Sequence, residues 1–257
     1  MIKDLILVVT GIIVGGMNSV AGGGSLIGFP VLLALGTPAI VANATLSLVV
    51  LPGNIGATYG YRKYLKRVPK PYLLLLIPAV IGSAIGAYAL RRTSFNDFEN
   101  YIPWLILFAA ILFAFQPFFY KQLHHHIHNA KNNKELLKPI LKFSFVVLII
   151  SIYAGYFGAG FGFVMLAFLG FTKLHNHIHR MNALKNVIVI FTSITTILVL
   201  FSSHLIDWRQ GLIMAFGNFI GGYYGAIWAQ KVSSNVLRVI IIFIGFSTAI
   251  YLGLRSY

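Results

Sequence analysis

The sequence predicts an all-α polytopic integral membrane protein built of two repeats, inverted relative to each other. Each repeat is expected to hold a glycine-broken or re-entrant helix pair plus three full transmembrane helices. Three observations lead there. Of 257 residues, 58% are hydrophobic and 10% charged, with a mean hydropathy of +0.83, more apolar surface than a soluble domain can hide. Asn43–Ser94 lies on Asn182–Ser233 without a gap, with Asn43-Ala44 on Asn182-Ala183, Gly82 on Gly221 and Gly86-Ala87 on Gly225-Ala226. Upstream of each matched block sits a glycine-interrupted apolar segment, Gly22-Gly23-Gly24 and then Gly158-Ala159-Gly160-Phe161-Gly162. Duplicated halves with corresponding broken hydrophobic segments mark secondary transporters, whose substrate site lies between the repeats near the bilayer midplane.

In chain order, apolar segments run over Leu5–Ala21, Ser25–Leu35, Ala42–Tyr61, Tyr72–Leu90 and Tyr101–Phe119. The second half gives Pro139–Phe157, Gly162–Phe171, Ala183–Phe201, Gly211–Ala229 and Val236–Leu254. Crossing the hydrocarbon takes roughly 20 helical residues, so the Ser25 and Gly162 segments are too short to cross alone. They read as half-helices whose free ends at the glycines face a protein-lined cavity. Residues 1–120 form the first repeat, 121–138 a His/Lys-rich cytoplasmic linker, and 139–257 the second repeat. Lys3 and the apolar run into Ser19-Val20-Ala21-Gly22 imitate a signal peptide. The equivalent segment recurs internally near Ile149–Gly160, so the first one reads as a permanent structural element.

The net charge of +15 would suggest nucleic acid in a soluble protein. Here the basic residues cluster in short loops, where they set orientation and meet anionic lipid. The loop with Arg62, Lys63, Lys66, Arg67 and Lys70 is the strongest cytoplasmic signal. If each broken pair counts as one crossing, the halves are parallel; if it enters and returns, they are inverted. Inversion places more of the 20 basic residues inside. The repeat position matching the basic loop is Ser202–Gln210, where Arg209 is offset by Asp207, as expected of a turn on the other face.

All five acidic residues, Asp4, Asp97, Glu99, Glu135 and Asp207, lie in loops or at segment ends. Intramembrane carboxylates mark cation pathways, so their absence from the spans argues against carboxylate-based cation transport. No cysteine is present, which removes disulfides, thiolate metal sites and cysteine nucleophiles. Nucleophile triads, phosphate-cradling loops and paired carboxylates are also missing, so no enzymatic activity, catalytic residue or cofactor is expected. The spans carry neutral donors instead, among them Asn18, Ser19, Ser25, Asn43, Thr45, Ser47, Asn54, Asn182, Asn186 and Asn218. With backbone N–H groups freed at glycine breaks and helix N-termini, such side chains make an uncharged cradle for an anion.

Each feature also has a purely structural role to weigh. For Ser47, Thr58, Thr192 and Thr196 that role is interhelical hydrogen bonding, and for Gly82, Gly86, Gly221 and Gly225 it is close helix packing. Lys185 lies just inside a span where the first repeat has Leu46. It either snorkels to the interface or makes an electrostatic contact with a permeating anion. The clusters His124-His125-His126-Ile127-His128 and His175-Asn176-His177-Ile178-His179 read as loop segments away from the glycine breaks. Metal or pH sensing is their alternative use.

Ala21-Gly22-Gly23-Gly24-Ser25-Leu26-Ile27-Gly28-Phe29-Pro30, Ala42-Asn43-Ala44-Thr45 and the Tyr61-Arg62 exit resemble the first half of the TauE/SafE sulfite-exporter family, also called the 4-toluene sulfonate uptake permeases. The second half repeats the resemblance in Gly155–Gly162, Asn182-Ala183-Leu184-Lys185-Asn186 and the span from Asp207-Trp208 to Gly225-Ala226. The resemblance implies a plasma-membrane protein that moves small sulfur-containing or other organic anions such as sulfite, sulfonates or sulfoacetate. Both histidine clusters lie outside it.

The combined expectation is a permease for small anions working by alternating access. Its site is assigned to Asn18, Ser19, Gly23, Gly24, Ser25, Asn43, Gly160, Gly162, Asn182 and Lys185. Its partners are a small anionic solute and anionic lipid, not nucleic acid. The rivals are a metal-ion transporter using the histidines and a non-transporting membrane scaffold or sensor.

Overall fold

The computed structural model describes residues 2–20, 22–114, 133–172, 174 and 177–231, and among these every regular element is helical. The first half contains α1 (Ile2–Val20), α2 (Ser25–Ala34), α3 (Ala39–Gly60), the short α4 (Arg62–Leu65), a 3₁₀ turn over Lys70–Leu75 running into α5 (Leu76–Arg92), and α6 (Phe95–Ala114). The second half contains α7 (Asn133–Tyr156), α8 (Phe161–Leu169), α9 (Ile178–Leu200) and α10 (Trp208–Trp228). Among the described residues, four stretches are long and apolar enough to cross a membrane: Ile2–Val20, Ala39–Gly60, Lys70–Arg92 and Ile178–Ser203. The expected span Val236–Leu254 and the cluster His124–His128 lie outside the described residues.

Local chemistry sets several boundaries. Ser94 caps α6: its Oγ accepts from Asp97 N at 3.1 Å and donates to Asp97 Oδ2 at 2.6 Å, which starts the helix earlier than hydropathy alone indicated. Asp207 caps α10 by accepting from Gln210 N at 2.9 Å, and its own N–H is held by Thr45 Oγ1 at 2.9 Å. The N-terminus of α7 reaches back to Asn133, six residues into the segment read as linker, because Asn133–Lys138 holds no glycine or proline. Between α1 and α2 the chain turns at Gly22 (φ +83°), and between α7 and α8 at Gly158 (φ +68°) and Gly160 (φ +77°). This left-handed region carries a steric cost for any residue with a Cβ.

Helix directions follow from which residues touch. A Cβ on Gly11 would meet the Met214 carbonyl, one on Gly15 the Asn218 carbonyl, and one on Gly225 would meet Gly16 and Ser19. Numbers rise together, so α1 and α10 run parallel. The pairs Leu48 with Gly211, Gly53 with Asn218 and Gly60 with Ala226 align α3 with the same two helices. Likewise Gly82 meets Leu148, and Gly86 meets Ile152 and Tyr156, making α5 and α7 parallel. Asn43, near the start of α3, touches the end of α7 at Tyr156, and His179, at the start of α9, stacks on Tyr61 at the end of α3. Helices α5, α7 and α9 therefore oppose α1, α3 and α10.

After the first break α2 folds back along α1. Gly24 backs onto Val14 of α1, and beyond the far end of α2, Thr37 Oγ1 donates to Gln210 Oε1 at 3.0 Å. Gln210 sits beside Arg209, which pairs with Asp4 of α1 at 3.0 Å. The chain thus comes back to the face where α1 began. With 10 and 9 residues, α2 and α8 are each roughly 15 Å long, about half of the hydrocarbon thickness.

Packing is closest along glycine seams, where the α1, α3 and α10 backbones touch through Gly11, Gly15, Gly53, Gly217, Gly221 and Gly222. Small residues permit this approach, and dispersion and weak polar contacts replace the hydrophobic drive that lipid removes. Gly82 and Gly86 do the same between α5 and α7. The opposite faces carry large exposed apolar side chains, such as Ile77, Ile81, Ile85 and Tyr88 along one stripe of α5, as suits a lipid-facing surface.

Candidate functional site

The two glycine breaks meet. A Cβ on Gly22 would lie on the backbone of Gly162 and Phe163, and beside this contact is a cavity of about 40 Å³. Its wall is built from matched positions of the two blocks, Leu46 and Lys185, Val50 and Val189, Asn54 and Ser193, together with Gly22 and Gly158 from the two breaks. Ser25 at the start of α2, and Phe161 and Gly162 at the start of α8, complete the wall. Both half-helix N-termini border this space, with the N–H groups of Leu26, Ile27, Phe161 and Phe163 bonded to turn carbonyls and the positive ends of the helix dipoles directed at it.

Lys185 is 0% exposed and lines the cavity. Its Nζ donates to the Asn18 carbonyl oxygen at 2.6 Å and to Asn182 Oδ1 at 3.0 Å. Asn18 O is available because α1 ends at Val20 and its last carbonyls have no helical donor. The Asn18 side chain is fixed in turn, since its Oδ1 accepts from Gly24 N at 2.8 Å. Both oxygen partners of Lys185 are neutral, and an ammonium carries three N–H donors, so one donor and the whole charge remain for the cavity. Burying a lysine within a span costs at least about 2.5 kcal/mol on insertion scales.

Across the cavity, Asn43 Nδ2 donates to the Tyr156 carbonyl at 2.8 Å, an orphan carbonyl at the end of α7. That bond fixes which way the amide faces, because a carbonyl only accepts. Asn43 Oδ1 is buried with no partner. Each broken pair therefore has its free carbonyl taken by a polar side chain from the other half, Asn18 O by Lys185 and Tyr156 O by Asn43.

The model of the sulfite exporter TauE/SafE family matches residues 7–252. The chain belongs to that family. A "probable membrane transporter protein" of Haemophilus influenzae is 27% identical over 248 residues, covering 94% of this chain and 91% of its own. One from Sinorhizobium, ORF9, is 26% identical over 252 residues, with 96% and 90% covered. Probable membrane transporter protein YunE of Bacillus subtilis is 24% identical over 286 residues, with 98% and 99% covered. No solved structure gives a significant match. This TauE/SafE protein is a multi-pass membrane transporter.

Of the residues singled out from sequence, Asn18, Ser25, Asn43, Gly162 and Lys185 line the cavity, while Asn182 stands behind it and orients Lys185. The others serve the scaffold. Ser19 Oγ donates to Gly16 O at 2.7 Å, Gly23 O accepts from Leu26 N and Gly24 N donates to Asn18, and Gly160 makes the left-handed turn into α8. Snorkelling of Lys185 is ruled out by its complete burial. Ser47, Thr192 and Thr196, read as interhelical glue, line the cavity. Their spacing on α3 and α9 with Asn43, Val50 and Lys185 was the available signal. His179 corrects the loop reading of its cluster: it begins α9 and packs against Tyr61 and Tyr64, with ring centroids 6.1 and 4.8 Å apart. Among the described residues no group of three or more His, Asp or Glu could hold a metal ion.

Proposed function

We propose that this TauE/SafE transporter is a plasma-membrane permease for small anions, sulfur oxyanions and organosulfonates above all, and that Lys185 is the charge the anion meets. The observation that carries this reading is a fully buried ammonium with neutral oxygen partners, facing a cavity where two helix breaks converge. An entering anion supplies the missing charge, and the N-termini of α2 and α8 add partial positive charge. The cavity volume of about 40 Å³ corresponds to about three water positions, room for an inorganic oxyanion. An aryl sulfonate needs the cavity to open.

Transport proceeds by alternating access between inverted repeats. The reading draws support from helix directions: α7, α9 and α10 run opposite to their counterparts α1, α3 and α5, and the pairing of α1 with α10 mirrors that of α7 with α5. Rocking one half against the other would expose the shared cavity to each face in turn.

A thermal-shift screen of the purified protein against sulfite, sulfate, sulfoacetate, taurine and an aryl sulfonate tests the anion reading. A ligand at 100-fold its Kd stabilises the folded state by about 2.7 kcal/mol. A sulfur anion is expected to raise the melting temperature of the wild type and not of Lys185→Gln. Equal shifts in both proteins would remove Lys185 from the site.

A further inference from the structure

We infer that the cavity selects an oxyanion in its singly charged, still protonated form, so that hydrogen sulfite and not the sulfite dianion is the bound species. The inference rests on the anion reading above and narrows it to one charge state. Two independent features of the cavity wall lead to it. Lys185 is the cationic side chain in the lining, and the matched position on the other half is Leu46. A singly charged anion brings the buried pair to neutrality. A dianion would find for its second negative charge only the partial charges of the α2 and α8 N-termini, whose N–H groups at Leu26, Ile27, Phe161 and Phe163 already donate to turn carbonyls, and a charge so poorly matched is disfavoured away from water.

The second feature is the acceptor of Asn43. Its amide is fixed by the bond to Tyr156 O, and its Oδ1 is a buried oxygen with no partner in the protein. A fully deprotonated oxyanion offers only acceptors and leaves that oxygen unpaired. An acid anion brings a proton that Asn43 Oδ1 can accept, while its oxygens take the free Lys185 N–H. One negative charge and one donor is the complement of this wall.

The titratable groups on neighbouring elements do not duplicate these roles. On α3 and α4, Tyr61 and Tyr64 pack with His179 near the start of α9. On α7, the Tyr153 hydroxyl donates to Ala159 O and the Tyr156 hydroxyl lies 3.3 Å from Thr93 Oγ1. Arg91 and Arg92 of α5 are exposed, and Asp4 of α1 pairs with Arg209; α8 carries no ionisable side chain.

Isothermal titration of the full chain in nanodiscs with sulfite, methanesulfonate and sulfate, at about pH 6 and about pH 8, decides the matter. The second ionisation of sulfurous acid lies near neutrality, whereas methanesulfonate and sulfate keep one and two charges throughout, so they report any titration of the protein itself. We expect total-sulfite affinity to fall roughly tenfold from the lower to the higher pH by ligand deprotonation. Methanesulfonate should bind equally at both, more weakly than sulfite at about pH 6 and roughly tenfold more tightly than sulfate. Leu46→Lys, adding a second ammonium to the wall, should reverse the order of methanesulfonate and sulfate. Sulfate binding as tightly as methanesulfonate to the wild type, or sulfite binding more tightly at about pH 8, overturns the charge-state inference and leaves the anion reading standing. Failure of all three to bind overturns both. The wild-type comparison decides even where Leu46→Lys does not fold.

Discussion

At the residue scale, the site trades stability for charge. Lys185 holds an ammonium among neutral oxygens. Lys185→Met removes a buried charge but also leaves Asn18 O and Asn182 Oδ1 without their donor, so the melting temperature is expected to change little while anion-induced stabilisation disappears. A drop in melting temperature of the size seen for core truncations would show that the lysine is a structural strut. Asn43→Leu should behave differently. It strips the Tyr156 carbonyl of its donor, an expected loss of about 1–3 kcal/mol, measurable by denaturant or thermal unfolding, together with slower flux at every salt concentration. Lys185, Asn18 and Asn43 were legible in the sequence because a polar side chain inside an apolar run stands out. Thr192 and Thr196 were not, because a hydroxyl can return its hydrogen bond to its own helix, as Thr192 does to Val189 O, and composition cannot tell which face it occupies.

At the element scale, the seams leave no room for a Cβ. One on Gly15 would fall on the Asn218 carbonyl, and one on Gly222 on the Gly53 carbonyl. Gly15→Val and Gly222→Val should therefore destabilise by about 1–3 kcal/mol or more through backbone displacement, whereas Gly36→Val, where nothing lies within 4 Å of a Cβ, should fail only through its φ of +93°. Unfolding of the three variants in one detergent would check the ordering. The breaks around Gly22 and Gly158–Gly162 were readable because adjacent glycines in an apolar run have few other uses. The start of α7 at Asn133 was hidden by a charged stretch that hydropathy reads as loop. His179 was misjudged because its stacking partners, Tyr61 and Tyr64, are far away in sequence and adjacent only across helices. The cluster His124–His128 lies outside both the matched blocks and the described residues. Alanine at His124, His125, His126 and His128 should leave anion flux unchanged in metal-free buffer, and abolished flux with normal folding would bring the metal reading forward.

At the scale of the whole molecule, the matched blocks Asn43–Ser94 and Asn182–Ser233 lead to the expectation of two halves, and loop charge favours opposite orientations. The proposed inverted relation rests on the opposed helix directions. Sequence spacing did not reveal that the breaks touch through Gly22 and Gly162, a contact between segments remote in the chain. Nor did it reveal that Lys185 reaches α1 across the interface. The cavity lining carries one cation, Lys185, where the matched position of the first block is apolar Leu46. The most direct measurement is sulfite flux into proteoliposomes carrying the wild type, Lys185→Gln or no protein, with folding of each variant verified by thermal unfolding. We expect flux well above the empty vesicles for the wild type and near the empty-vesicle level for folded Lys185→Gln. Undiminished flux through Lys185→Gln would contradict the claim that the buried lysine is what the anion meets.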